Sequence, residues 1–106
     1  ASVALWERFI REVEARCPQL TLASPRDPEA RGSQVSFAFE NGYPVMQALI
    51  ARGVIGDFRE PDIMRFGFTP LYLDEGDVIR AAEIIEEVMV KEIWRDAEYN
   101  RRSRVT

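Results

Sequence analysis

Ser33-Gln-Val-Ser-Phe-Ala-Phe39 alternates at a period of two, with Val35, Phe37 and Phe39 on one face and Gln34, Ser36 and Ala38 on the other. Successive side chains of a β-strand point to opposite faces, so this spacing predicts a strand with one face turned to a core. Upstream, Leu20-Thr21-Leu22 reads as a shorter strand. The polar, proline-broken segment Ser24–Gly32 joins the two as a hairpin. Before that, Trp6, Phe9, Ile10, Val13 and Cys17 recur at helical spacing and form one apolar stripe. Glu7, Arg8, Arg11, Glu12 and Glu14 fill the opposite face, and Pro18 ends the helix.

Downstream, Asn41-Gly-Tyr-Pro44 opens a second helix, with Pro44 tolerated in its first turn. Val45, Met46, Leu49 and Ile50 give that helix an apolar side, and Gly53 follows Arg52 as a C-terminal stop. Val54–Phe58 and Ile63–Phe68 read as two further strands linked by Arg59-Glu-Pro-Asp62. The rest reads as one long helix with Asp74, Glu75 and Asp77 at its positive end and Val78, Ala82, Ile85 and Met89 on its core side. Continued along that helix, Val90 and Trp94 fall on the face opposite the core. They form either a local staple of exposed apolar residues or a patch covered by the N-terminal helix, by another domain or by a second copy. The tail from Asn100 to Thr106 carries three arginines and is expected to fray. The order predicts an α+β two-layer domain, a small antiparallel or mixed sheet of three to four strands packed with three helices.

At 106 residues the chain is long enough for one core and too short for two. Its 14 basic and 18 acidic residues give a net charge of −4, which argues against a broad nucleic-acid or anionic-membrane surface. No apolar run approaches the roughly 18 residues of a membrane span. A single cysteine, Cys17, forms no internal disulfide and points to a reducing cytoplasm. With no histidine, a Cys/His zinc site and a histidine-based triad are excluded. Ala1-Ser-Val-Ala-Leu-Trp6 has no basic n-region and is not a signal peptide. A start without methionine fits either methionine removal or a piece of a longer polypeptide.

Arginine outnumbers lysine thirteen to one, Lys91 being the single lysine. Arg31, Arg59 and Arg65 stand out because each lies on or beside a strand. Arg65 interrupts Ile63-Met64-Arg65-Phe66-Gly67-Phe68 and projects away from the face shared by Met64, Phe66 and Phe68. Two readings are open: an ion pair with Asp57 or Asp62, or an anion clamp at the domain's edge. A guanidinium is a planar fork suited to carboxylates. Gly67 beside it would let a backbone or ligand approach closely. Lys91 follows Glu87 by four residues, the spacing of a solvated helical ion pair.

Three stretches also carry a resemblance: Arg31-Gly-Ser-Gln-Val-Ser-Phe37, Gly53-Val-Ile-Gly-Asp-Phe-Arg-Glu-Pro61 and Asp62-Ile-Met-Arg-Phe-Gly-Phe-Thr-Pro-Leu-Tyr72. From about Leu20 to the final Val105-Thr106, the chain resembles the C-terminal small domain of bacterial kynureninases. Gln34 departs from the histidine expected in the first stretch. The resemblance implies the small domain of the aminotransferase-like fold, in a homodimeric pyridoxal-phosphate enzyme that hydrolyses L-kynurenine to anthranilate and L-alanine in tryptophan catabolism. It further implies that Arg65 binds the substrate's α-carboxylate. Pyridoxal phosphate, its Schiff-base lysine and its phosphate cup would belong to a missing large domain, leaving residues 1–106 as an excised, inactive domain with no catalytic or cofactor-binding residue of its own. Lys91 does not match the cofactor lysine, and Gly53-Val-Ile-Gly56 lies in a strand context rather than in a phosphate loop. Two alternatives stay open: the small domain of another class V aminotransferase-like enzyme or cysteine desulfurase, and a free-standing amino-acid-binding or dimerising module.

Overall fold

The computed structural model describes residues 3–25, 27, 34–67 and 74–101. In chain order these form α1 (Val3–Arg16), β1 (Thr21–Leu22), β2 (Val35–Ala38), α2 (Gly42–Ala51), β3 (Gly56–Arg59), β4 (Ile63–Phe66) and α3 (Glu75–Val90). A single 3₁₀ turn at Ile93–Arg95 and the short helix α4 (Ala97–Asn100) follow. The strands make one antiparallel sheet in the order β1-β2-β4-β3. This is the expected α+β architecture, with its four strands and three substantial helices. The hairpin expected of β1 and β2 is present, with Leu22 opposite Phe37.

Alternation along the strands divides the sheet into two unlike faces. Val35, Phe37, Met64 and Phe66 are all buried on one face. Phe9 of α1 wedges between Phe37 and Phe66, with ring centroids 6.3 and 5.5 Å away. The stripe Trp6, Phe9, Ile10, Val13 and Cys17 is buried throughout, as its spacing predicts. So are Val45, Met46 and Leu49 of α2, and Val78, Ala82, Ile85 and Met89 of α3. Every residue of this core is apolar or a thiol, so the hydrophobic effect is its chief source of stability. Burial pushes the Cys17 thiol up to about 11.

Local chemistry sets the helix ends. After α2, Gly53 takes φ +89°, its N–H donates to the Ile50 carbonyl, and the Val54 N–H donates to Leu49. This is a Schellman stop, and the left-handed backbone it needs suits glycine. At the start of α3, Asp74 accepts from the Asp77 N–H while the Asp77 side chain accepts from the Asp74 N–H, a reciprocal capping box. Polar pairs tie α1 to α3: Arg8 bridges Glu12 at 2.7 Å and Glu75 at 3.6 Å, and Arg16 bridges Glu12 and, at 3.5 Å, Glu86.

The long final helix expected from the sequence is shorter than its pattern. It stops at Val90, and Glu92 turns left-handed at φ 51° without a glycine or proline to announce the break. The chain folds back, and Trp94 becomes buried against the half-buried Phe39, edge to face at 5.8 Å. Trp94 therefore does not share a helical face with Val90, which is 68% exposed. Its cover comes from Phe39 and the α2 side of the fold; of the covers the sequence offers, neither the N-terminal helix nor a staple with Val90 supplies the main contacts. Burying an indole outweighs the few tenths of a kcal/mol by which helix propensity favours continuing. The Asn100 amide secures the new turn by donating to the carbonyls of Trp94 and Asp96 at 2.8 and 3.0 Å.

Candidate functional site

The second face of the sheet has a different character. Thr21, Ser36, Ala38, Ile63, Arg65, Asp57 and Arg59 project from it by strand parity, and none of them is fully buried. Among the described residues the helices pack on the other face, and on this one Ser36, Ala38, Ile63 and Arg65 are half-buried while Thr21, Asp57 and Arg59 are exposed. Arg65 lies near its centre because it alternates with the buried Met64 and Phe66 on an inner strand. The antiparallel register places Ser36 on one side of it and Asp57 on the other.

Asp57 meets Arg65 as a two-pronged pair. The Arg65 Nε–H donates to Asp57 Oδ1 and an Nη2–H donates to Oδ2, both at 2.7 Å. The pair sits at the surface, the two side chains being 26% and 53% exposed. The hydrogen bond from Arg65 holds the Asp57 carboxyl below its usual range, and the same bond raises Arg65. Both groups therefore stay charged across the neutral range. Of the two carboxylates named as partners from sequence, Asp57 is the one engaged. Asp62 instead lends its backbone carbonyl to the Phe39 N–H at 3.0 Å.

Two further features border Arg65. Gly67 shares its face, and among the described residues a Cβ built there would meet only Ile55 Cγ2, at 3.9 Å. Ile55, next to Gly67 across the strands, is 53% exposed, an apolar wall that sequence reading did not single out. Its only signal is parity with Asp57, which has meaning once the β3–β4 register is known. Arg59 lies exposed two residues along β3 from Asp57, and Gln34 is exposed just before β2. Arg31, the face assigned to Phe68, and the stretch from Thr69 to Tyr72 lie outside the described residues, as does the tail beyond Arg101.

Lys91 is 68% exposed at the end of α3, its Nζ 3.6 Å from the Glu87 carboxylate, the solvated pair its spacing predicts. A pyridoxal-phosphate lysine is a partly desolvated amine held against the cofactor, so an exposed, ion-paired Lys91 does not fit that group. Among the described residues no group of His, Cys, Asp and Glu could hold a metal ion, and no helix is long and apolar enough to cross a membrane.

The fold and the site define a small α+β domain that carries a forked cation, held by a carboxylate, on the sheet face opposite its helices. The chain belongs to the kynureninase C-terminal domain family, whose model matches residues 1–85. Among curated relatives it is 52% identical to a kynureninase of Burkholderia mallei over 107 aligned positions, covering 99% of this chain and 26% of that protein. Kynureninases of Burkholderia pseudomallei and Pseudomonas fluorescens match at 52% and 51% over the same share. The chain thus spans about a quarter of the length of these relatives.

Proposed function

We propose that this chain is the C-terminal small domain of a longer kynureninase, and that Arg65 supplies the contact to the substrate's α-carboxylate. The parent would hydrolyse the Cβ–Cγ bond of L-kynurenine, giving anthranilate and L-alanine in tryptophan catabolism. The observation that carries this reading is Arg65 on the sheet face opposite the helices, inside the stretch Asp62–Tyr72 that carries the family likeness. A guanidinium there, flanked by Gly67 and an apolar Ile55, suits a flat carboxylate approaching from outside the domain.

Residues 1–106 form one domain in this reading, and the rest of the parent supplies the large domain. Pyridoxal phosphate would be bound there, as would the lysine that carries it, and the parent would act as a cytoplasmic homodimer. The chemistry of bond cleavage resides in that cofactor. What this domain contributes is binding and orientation of the carboxylate. Mixed with pyridoxal phosphate and kynurenine, the domain alone should release no anthranilate above the free-cofactor background.

The two-pronged grip of Asp57 favours a second reading, in which Arg65 is only a cross-strand ion pair. Kinetics of the full-length parent separate the two. Removing a charge-assisted pair from a closed site should lower kcat/KM by roughly two to three orders of magnitude in Arg65→Ala, with cofactor absorbance unchanged. Arg65→Lys should recover only part of the loss, because a point charge does not copy the fork. Unchanged kinetics in Arg65→Ala would leave only the ion pair.

A further inference from the structure

The same geometry that makes Arg65 look satisfied engages, among the described residues, only one edge of its fork. A guanidinium offers five N–H donors on two usable edges, Nε–Nη2 and Nη1–Nη2. Asp57 occupies the first edge with both oxygens, at 2.7 Å each. Among the described residues nothing engages Nη1 or the second Nη2 donor. Arg65 is thereby held by one carboxylate and can still accept another, end-on, along its outer edge.

The hold has structural consequences. Arginine carries a long, rotamer-rich stem, and ordering it on ligand binding opposes affinity. Asp57 removes that freedom beforehand, because its own backbone is fixed opposite Arg65 in the β3–β4 ladder. Gly56, just before Asp57, packs too closely on the Arg65 carbonyl to admit a Cβ, so the two strands keep one spacing.

We infer that Asp57 is a positioning residue that locks the Arg65 guanidinium by its Nε–Nη2 edge and presents the Nη1–Nη2 edge to an incoming α-carboxylate. The inference rests on the carboxylate-binding role proposed for Arg65. It differs from a purely structural pair in one respect: the benefit of Asp57 should fall on ligands that carry a carboxylate and on no others.

The test uses the full-length parent with its cofactor and two competitive ligands, an α-amino acid substrate analogue and the corresponding amine without the carboxylate. Inhibition constants are measured for the unaltered enzyme and for Arg65→Ala, Asp57→Ala and Asp57→Asn. Asp57→Ala should weaken the amino acid on the order of ten- to a hundred-fold while leaving the amine within about two-fold. Asp57→Asn keeps the shape and one accepting oxygen, so it should fall between the two; it also serves if Asp57→Ala does not fold. If Arg65→Ala is selective for the amino acid but both Asp57 variants bind it unchanged or more tightly, Asp57 is a bystander or a competitor and the inference is overturned. If Arg65→Ala weakens both ligands equally, the carboxylate role of Arg65 itself fails, and the role of Asp57 falls with it.

Discussion

Gly56 lies so close to the Arg65 backbone that a Cβ added to it would run into the Arg65 carbonyl oxygen and come within 3.0 Å of Met46 Cε. The methionine can move, but the carbonyl belongs to the ladder. Gly56→Ala should therefore push β3 away from β4 and destabilise the domain by about 1–3 kcal/mol. Gly67→Ala makes a useful contrast, since among the described residues its Cβ would have only Ile55 nearby, at 3.9 Å. That variant should stay within about 0.5 kcal/mol of the original. Urea unfolding of the two variants side by side checks both values.

Trp94 and Phe39 lead to a second prediction. Trp94 is 6% exposed, meets Phe39 edge to face, and carries the Arg95 guanidinium over its ring at 4.5 Å. Trp94→Ala should cost about 3–5 kcal/mol by transfer and cavity terms together. It should also release the 3₁₀ turn, whose place in the fold depends on that indole. Chemical denaturation gives the first quantity, and faster amide exchange at residues 92–101 reports the second. An effect below 1 kcal/mol would mean that the indole is not packed as described.

The parts of the fold that were legible in the sequence are those where a periodic pattern meets its own stop signal. Trp6 to Cys17 reads as a helix because five apolar residues share one stripe and Pro18 follows. Gly53 marks the end of α2, and Asp74 with Asp77 marks the start of α3. The break after Val90 was not legible, because Glu92 enters the left-handed region without a residue that prefers it. Tertiary burial of Trp94 decided that turn, and no local propensity records such a force. At the site, Arg65 was visible as a charge in an apolar strand. Its partner was narrowed to two aspartates, and choosing Asp57 required the register. Ile55 and Ser36 were invisible for the same reason: neighbours across a sheet are set by pairing, not by sequence distance.

Cys17 should be inert while the domain is folded. Its side chain is fully buried and burial pushes its thiol up to about 11, so little thiolate exists at neutral pH and none is accessible. Alkylation should follow only the opening of the fold, its rate rising with urea in step with unfolding. Rapid modification in native buffer would show that the N-terminal helix opens independently of the core.

Acid should weaken this fold through two carboxylates whose folded pKa lies below the unfolded one. The Glu12 carboxyl is lowered chiefly by the Arg16 hydrogen bond and next by Arg8, and Asp57 is lowered by Arg65. A carboxyl depressed in the folded state stabilises it fully above the unfolded value, 4.5 for Glu12 and 3.8 for Asp57. That contribution is lost as the pH falls through the lower, folded value. Glu12→Gln should therefore be less stable than the unaltered domain at pH 7. The gap should close as both are titrated down through the lowered, folded value of Glu12, below which the carboxyl is protonated in either state. Because these pairs are partly exposed, raising the salt concentration at pH 7 should also narrow the gap. Urea midpoints across pH for the two proteins decide the matter. A gap that persists unchanged at low pH would assign the effect of Glu12 to packing of its stem between α1 and its arginines, not to its charge.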